Sequence, residues 1–394
     1  MIGRLNITLI GSKFMGRAHS NAWGQVSRFF DVDPKPALHT VVARNASELA
    51  EFAARWGWAN HTTDWHTAVT AEDIDLVDIA SPNNAHREAA IAALEAGKHV
   101  ACEKPLAATL ADAEAMAVAA TAAPGKTFVW FNYRRVPAVA LAHKIVAAGA
   151  LGKIYHARAS YLQSWGGPDT PLLWRFQGDI AGTGAHGDLN AHIIDAVRFI
   201  TGEEIVSVDG AIEEKFVAER APLEGGAGEE IAGAGADTSG MGRSTVDDAV
   251  LFLSRLSGGG VASFEATRLA TGYYNTNRIE IHGESGALRF NFERMNELGY
   301  FRTDLADGER GWTTIDVTRG AEGHPYADAW WPGGHGLGYE HGFVNQARDM
   351  ISVIGGGKPL VPLPDFEDAL QTQRVLQAAI DAARQHRPVE VPPP

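Results

Sequence analysis

Leu5-Asn6-Ile7-Thr8-Leu9-Ile10 runs directly into Gly11-Ser12-Lys13-Phe14-Met15-Gly16. The apolar run reads as a buried strand, and helical character begins at about Met15, so this turn is the first strand-to-helix link of an α/β chain. A turn of this kind takes a dinucleotide pyrophosphate when glycines meet three needs: a tight turn, close approach of the phosphate, and packing of helix on strand. Gly11 and Gly16 suit the first and third. Lys13 occupies the second place, which normally carries no side chain; its ammonium would have to pair with the pyrophosphate, and Phe14 and Met15 complete the cradle. The spacing alone is a weak signal, since glycine turns between strand and helix are common without a ligand.

Outward from that turn the α/β rhythm continues to about residue 133. Strands are expected at His39–Val42, Asp75–Ala80, His99–Cys102 and Thr127–Asn132. Helical patterns at Ala46–Trp56, Ala85–Ala96 and Ala111–Ala122 alternate with them, and Gly97 closes the second of these. The expectation is an N-terminal Rossmann domain over residues 1–133, a doubly wound parallel sheet. After Gly152 the texture changes to successive strand-like runs at Ile154–Gln163, Ile205–Val217, Ala249–Leu256, Gly260–Ala266, Arg278–His282 and Ala287–Phe292, interrupted by one strong helix at Asp188–Thr201. Residues 134–394 are therefore expected to form an α+β domain with a large, mainly antiparallel open sheet. Two late helices, about Tyr339–Val353 and Phe366–Gln385, are candidates to pack back on the first domain. The Gly-, Ala- and Glu-rich segment Leu223–Gly242 reads as a surface loop.

The bulk properties narrow the function classes. Thirty-four basic against 48 acidic side chains give a formal charge of −14, which disfavours nucleic acid as a partner. No apolar stretch is long enough to predict a membrane span. No basic region followed by a cleavable apolar stretch is seen near Arg4, so no secretion signal is expected. The single cysteine, Cys102, rules out an internal disulfide and a cysteine-based zinc site and suits a reducing, cytoplasmic setting. No metal site is persuasive, because His335 and His341 lack a third ligand in view.

Further segments fall where such a sheet binds its ligands. Ser81-Pro82-Asn83-Asn84-Ala85-His86 follows the third strand, Cys102-Glu103-Lys104-Pro105-Leu106-Ala107 the fourth and Asn132-Tyr133-Arg134-Arg135 the next. Later comes Gly187-Asp188-Leu189-Asn190-Ala191-His192-Ile193-Ile194-Asp195. In this order, around the glycine turn, the chain resembles the Gfo/Idh/MocA oxidoreductases over almost its whole length. Glu-Lys-Pro with a later Asp-x-x-x-His is a fairly specific pair. Tyr161-Leu162-Gln163 with Trp165, and Pro171-Leu172-Leu173-Trp174-Arg175-Phe176-Gln177, are similar to the levoglucosan dehydrogenase-like branch. Two positions depart from the family pattern: Lys13, and Asn190, where many members carry glycine.

The resemblance implies hydride transfer between NAD(H) or NADP(H) and a ring hydroxyl carbon of a sugar, anhydrosugar or inositol. Such chemistry needs a base at the hydroxyl and a group that steadies its oxygen. Lys104, Asp188 and His192 suit these tasks. Asp188 and His192, four apart, would share a helix face, and histidine titrates near neutrality. His192 is the expected base and Lys104 the group that polarises the hydroxyl and holds Asp188 charged, with the lysine or the aspartate as the alternative base. The plain alternatives are a solvated lysine and a core histidine. Ser81, Pro82, Asn83, His86, Glu103 and Lys104 are expected at the cofactor's ribose and nicotinamide. His86 is alternatively a first-turn helix residue. The second strand ends Val42-Ala43-Arg44-Asn45 without the acid that usually meets the adenosine ribose, and Arg44 could meet a 2′-phosphate, which leans toward NADP or dual use.

Tyr133 and Arg134 are expected at the substrate mouth, with interdomain packing as the alternative. Tyr161, Trp165, Trp174, Trp330 and Trp331 are candidate sugar-stacking rings. Gln163, Arg175 and His335 are candidates for hydroxyl or anion recognition, His186 for a substrate wall, and Asp195 for a brace. Two rivals stand beside the dehydrogenase: a redox-neutral glycoside hydrolase using the same Lys, Asp and His, and a non-catalytic sugar sensor. A homodimer or homotetramer paired through the open sheet face is implied by the resemblance.

Overall fold

The computed structural model describes residues 3–223, 240–320 and 324–394. The loop expected at Leu223–Gly242 therefore lies, but for its ends, outside the described residues.

β1 (Arg4–Ile10), α1 (Phe14–Phe29), β2 (Lys35–Val42), α2 (Ala46–Trp56), β3 (Asn60–Thr62), α3 (Trp65–Thr70), β4 (Leu76–Ile79), α4 (His86–Glu95), β5 (His99–Cys102), α5 (Leu110–Ala122) and β6 (Thr127–Val129) build the first sheet. Its order is β3-β2-β1-β4-β5-β6 with every pairing parallel, the doubly wound arrangement expected from the alternation of patterns. The side-chain period of two explains why successive positions in the central strands are apolar. Leu76, Ala101 and Phe128 enter a core with α1, while their neighbours Val77, Val100, Cys102 and Val129 enter another with α4 and α5.

α6 (Pro137–Ala147) leads into β7 (Ile154–Leu162). Next come α7 (Gly178–Ala181), α8 (Ala191–Thr201), β8 (Ile205–Glu214), β9 (Glu219–Arg220), β10 (Gly242–Arg243), β11 (Ala249–Leu256), β12 (Val261–Thr267), β13 (Thr276–Gly283) and β14 (Gly286–Asn291). The chain continues with β15 (Glu297–Arg302), β16 (Trp312–Asp316), α9 (Tyr339–Ile354), α10 (Phe366–Gln385) and β17 (Val389–Glu390). The large sheet has nine strands, ordered β16-β15-β14-β13-β7-β12-β11-β8-β17. It is antiparallel except where β12 runs parallel to β7. α6 and α8 cover one face. On the other, Tyr155, Ile212, Leu253 and Val261 are exposed. β15 and β16 were not legible, because β16 is almost wholly exposed and carries no apolar alternation. The last helices return to the first domain: Phe343, Val344 and Met350 of α9 pack with Trp23 and Val26 of α1, and α10 packs on α5.

Candidate active site

A cleft of about 1100 Å³ opens at the carboxyl ends of β1, β2, β4, β5 and β6. That is where an open α/β sheet reverses strand order and leaves a crevice. The turn after β1 forms its floor. Gly11 sits at φ +118 with its N–H on the Val42 carbonyl at 2.8 Å. A side chain on Gly16 would meet the Gly11 carbonyl oxygen at 2.2 Å, so only glycine lets α1 start this close to the strand. No side chain caps the first turn of α1, and its N–H groups at Phe14 and Met15 border the cleft, as anion binding at a helix start requires. Ser81, Pro82, Asn83 and Glu103 line the same wall, and the buried Ser81 hydroxyl has no protein partner. These residues fit a nicotinamide dinucleotide. Lys13 borders the cleft too, but its ammonium lies 2.6 Å from Glu48 Oε2. Asn45 Nδ2 donates to the other Glu48 oxygen at 2.7 Å. Glu48 stands beside Arg44 at this end of the cleft, a carboxylate supplied by the first turn of α2 rather than by the end of β2.

At the other end Lys104, in a cis peptide with Pro105, donates to Asp188 Oδ1 at 2.9 Å and to its backbone oxygen at 3.0 Å. Residues 186–190 form a single π-helical turn that passes into α8, rather than the continuous α-helix expected from Asp188 to Thr201. Widening of the turn leaves the Asp188 carbonyl open to Lys104. Asn190, the departure from glycine, staples the turn, with Nδ2 donating to His186 Nδ1 and the Val250 carbonyl. A cation not foreseen completes the centre. Arg268, just past β12 and buried, donates from Nη2 to Asp188 Oδ2 at 2.8 Å, its guanidinium lying over Trp165 and Phe176.

Charge follows from this packing. Burial would raise the Asp188 carboxyl, but Lys104, Arg268 and Arg175 outweigh it and hold the pKa well below the usual range. Burial, then Lys104, push His192 well below 6.5, so its imidazole is neutral at neutral pH. His192 stacks on Tyr133 at 4.4 Å between ring centres, and its buried Nδ1 has no partner in the protein. Burial also lifts Tyr133 to about 12, so its hydroxyl stays protonated. That hydroxyl lies 2.7 Å from the Tyr161 hydroxyl, which donates onward to Asn275 Oδ1; Gln163 Nε2 donates to the same oxygen, and Trp165 Nε1 donates to Gln163 Oε1. This polar chain, with Trp174 and the Arg175 guanidinium 4.4 Å above its ring, lines the same end of the cleft as Lys104 and His192.

Several expected residues stand elsewhere. Arg134 is buried away from the cleft, paired with Asp195 and Asp368, because two carboxylates offset the cost of desolvating its charge. His86 is wholly buried, its nitrogens on the Leu106 and Ser81 carbonyls, so it braces the loop without reaching the cleft. His335 is exposed and held to the Pro332 carbonyl in its own loop. His186 is buried against the Leu376 carbonyl. Trp330 packs on Phe29 and His341, with Trp331 at its side. Arg268, Asn275 and Glu48 were missed: each depends on how distant segments meet, and none carries a local pattern. Among the described residues no group of three or more His, Cys, Asp or Glu is placed to hold a metal, and no helix is long and apolar enough to cross a membrane.

Residues 5–131 match the family model described as oxidoreductase family, NAD-binding Rossmann fold, and residues 139–289 match the GFO/IDH/MocA C-terminal domain. The chain is 41% identical to levoglucosan dehydrogenase of Pseudarthrobacter phenanthrenivorans over 98% of both chains. A solved oxidoreductase domain protein from Kribbella flavida is 46% identical, with TM-score 0.92 over 99% of this chain and 100% of that one. A solved levoglucosan dehydrogenase in complex with NADH and levoglucosan is 39% identical, with TM-score 0.90 over 99% of each.

Proposed function

The chain belongs to the GFO/IDH/MocA family of NAD-binding oxidoreductases, and from that premise we propose that it oxidises a ring hydroxyl of a sugar or anhydrosugar of the levoglucosan kind. One observation carries this reading: Lys104 from the nucleotide-binding half meets Asp188 at 2.9 Å in the cleft that His192 also lines. The bound nicotinamide dinucleotide supplies the hydride acceptor. Gly11, Phe14, Met15 and Ser81 would hold its phosphates, with Gly16 acting through packing, and Asn83, Pro82 and Glu103 would hold its ribose and ring. Glu48 beside Arg44 supports NAD over NADP, because a carboxylate accepts a ribose hydroxyl and repels a 2′-phosphate.

The protein's own residues handle the proton. The neutral His192 imidazole takes it from the substrate hydroxyl as the neighbouring C–H gives up its hydride. Lys104 donates to the oxygen that becomes a carbonyl, and Asp188, pinned by two cations, keeps the ammonium aimed at it. Gln163, Trp165, Trp174, Arg175 and Tyr133 would hold the ring: the aromatic faces cover its C–H faces and the amide and guanidinium meet its hydroxyls. The exposed apolar side chains Tyr155, Ile212, Leu253 and Val261 support pairing with a second copy.

The test is a panel of sugars, anhydrosugars and glycosides with NAD or NADP, followed at 340 nm with product identification by mass spectrometry. Steady accumulation of reduced cofactor with a keto-sugar product is expected. Cleavage of a glycoside with no net reduction would replace this reading by the redox-neutral hydrolase, and binding without turnover by the sensor.

A further inference from the structure

Asp78 lies in the middle of the apolar strand β4 and is wholly buried. A buried carboxylate must be paired and hydrogen-bonded, and this one is saturated. Trp130 Nε1 donates to its Oδ1 at 2.8 Å and Trp23 Nε1 to its Oδ2 at 2.7 Å. His19 Nδ1 reaches both oxygens at 3.1 Å. The other nitrogen of His19 lies 3.0 Å from Glu103 Oε1. The second Glu103 oxygen accepts the Lys104 backbone N–H at 3.0 Å. A chain of hydrogen bonds thus runs from the centre of the parallel sheet to the catalytic lysine, through a ring that is itself fully buried and packed on Trp130 at 4.2 Å. Neither Asp78 nor His19 borders the cleft, whereas Glu103 does.

We propose that His19 is a positioning residue of the active site: braced by Asp78, its ring holds the Glu103 carboxylate, and through it the Lys104 backbone, in the orientation that the site uses. The inference rests on the reading of Lys104 as a catalytic group. An imidazolium donating from each nitrogen satisfies both carboxylates and leaves one negative charge on the trio instead of two. Burial opposes that charge, but Asp78 and then Glu103 outweigh it and raise His19 to about 9. The groups facing the ring are Asp78 from β4 and Glu103 after β5, with the non-ionising Trp23, Trp130 and Phe343 around them. Beyond Glu103 stand Lys104, Cys102 and, from α9, Tyr339; burial pushes the thiol and the phenol well above their usual values, so neither titrates near 9. Above that pH His19 can donate from one nitrogen only, and its hold on Glu103 or on Asp78 is lost.

The variant is His19→Gln, whose amide reaches one carboxylate but carries no charge. An imidazolium quenches a stacked indole, so the tryptophan emission of the wild-type apoprotein is expected to rise with a midpoint near 9, a step absent from His19→Gln. Across the same midpoint the wild type's NADH affinity, read from cofactor fluorescence, is expected to weaken. At neutral pH His19→Gln should melt cooperatively, with kcat down about tenfold or more and the sugar KM changed by less than about threefold. A folded His19→Gln with kcat and NADH affinity within about twofold of wild type overturns the proposal. If the variant does not fold, the wild type decides alone: an emission step near 9 with unchanged NADH affinity also overturns it. If no sugar is oxidised by the wild type, the proposed function fails while the emission and NADH readouts still judge His19.

Discussion

Arg268 donates from Nη2 to Asp188 Oδ2 at 2.8 Å, so the carboxylate that Lys104 holds by one oxygen is held by a second cation through the other. Arg268 is 1% exposed and does not offer its charge to solvent; it is committed to Asp188 and to the faces of Trp165 and Phe176. Two fixed cations on one carboxylate leave Lys104 with an ammonium not wholly spent on neutralising it.

Removing the second cation should misdirect the first. In Arg268→Met, Lys104 is expected to swing fully onto Asp188. A charge-assisted hydrogen bond of this kind contributes about 1.5–3 kcal/mol, so kcat should fall about ten- to a hundredfold with a smaller change in sugar KM. Steady-state kinetics alongside a melting curve check this; an unchanged kcat in a folded variant would remove Arg268 from the mechanism.

His192→Asn should lower kcat by about two to four orders of magnitude while leaving NADH binding intact, because the proposed function gives the imidazole the proton and no hold on the cofactor. The pH dependence carries a sign. Burial and Lys104 favour the neutral ring, the form that the proposed base requires. The acid limb of kcat/KM for oxidation should therefore lie well below pH 6.5, with rates flat from neutrality down to it. A limb at or above 6.5 would show a base other than this histidine.

Local features of the site were legible because one segment of chain makes each of them. The glycine turn, Glu103-Lys104-Pro105 and Asp188-x-x-x-His192 all sit at strand or helix ends, where periodicity gives way to special residues, and each lines the cleft or, as Gly16 does, packs its floor. Arg268 and Asn275 were not, because they flank the connection from β12 to β13 and reach the centre only through the register of a nine-stranded sheet. Arg134 was misplaced because an arginine beside the expected mouth looks the same in sequence whether its carboxylate partners are in the substrate or, like Asp195 and Asp368, in the core. One signal was readable and passed over: Asp78 inside an otherwise apolar strand requires buried donors, and His19 and Trp23, four apart on α1, supply them.

Trp165 links the two halves of the proposed substrate end, donating to Gln163 Oε1 at 2.6 Å while its ring covers Arg268. Trp165→Ala removes both the stacking face and the restraint on Gln163. Loss of one aromatic contact of about 1–1.5 kcal/mol corresponds to a roughly tenfold rise in sugar KM. The NADH dissociation constant should not change, and a variant that weakens NADH and sugar alike would move Trp165 out of the substrate end.

Glu48 is the carboxylate nearest the adenosine end in this reading, restrained by Lys13 and Asn45. Glu48→Ala removes the charge that repels a 2′-phosphate and releases Lys13 to attract one. The ratio of kcat/KM for NADP over NAD is expected to rise about tenfold or more. An unchanged ratio would assign cofactor choice to Arg44 or to the backbone instead.

The buried trio also predicts how stability responds to alkali. His19 has a folded-state pKa of about 9 against an ordinary value of 6.5, so the folded protein binds the proton more tightly than the unfolded chain. A group raised in this way contributes fully below the unfolded value and loses its contribution as pH rises through the folded one. Between about 6.5 and 9, therefore, the wild type should lose on the order of a few kcal/mol that a variant without the imidazole never had. His19→Gln should melt below the wild type at pH 6, and the gap should narrow steadily by pH 9.5. Melting temperatures at half-unit intervals measure it. A gap that stays constant across this range would mean that His19 carries no extra proton in the folded state, and that Asp78 and Glu103 are reconciled by some other donor.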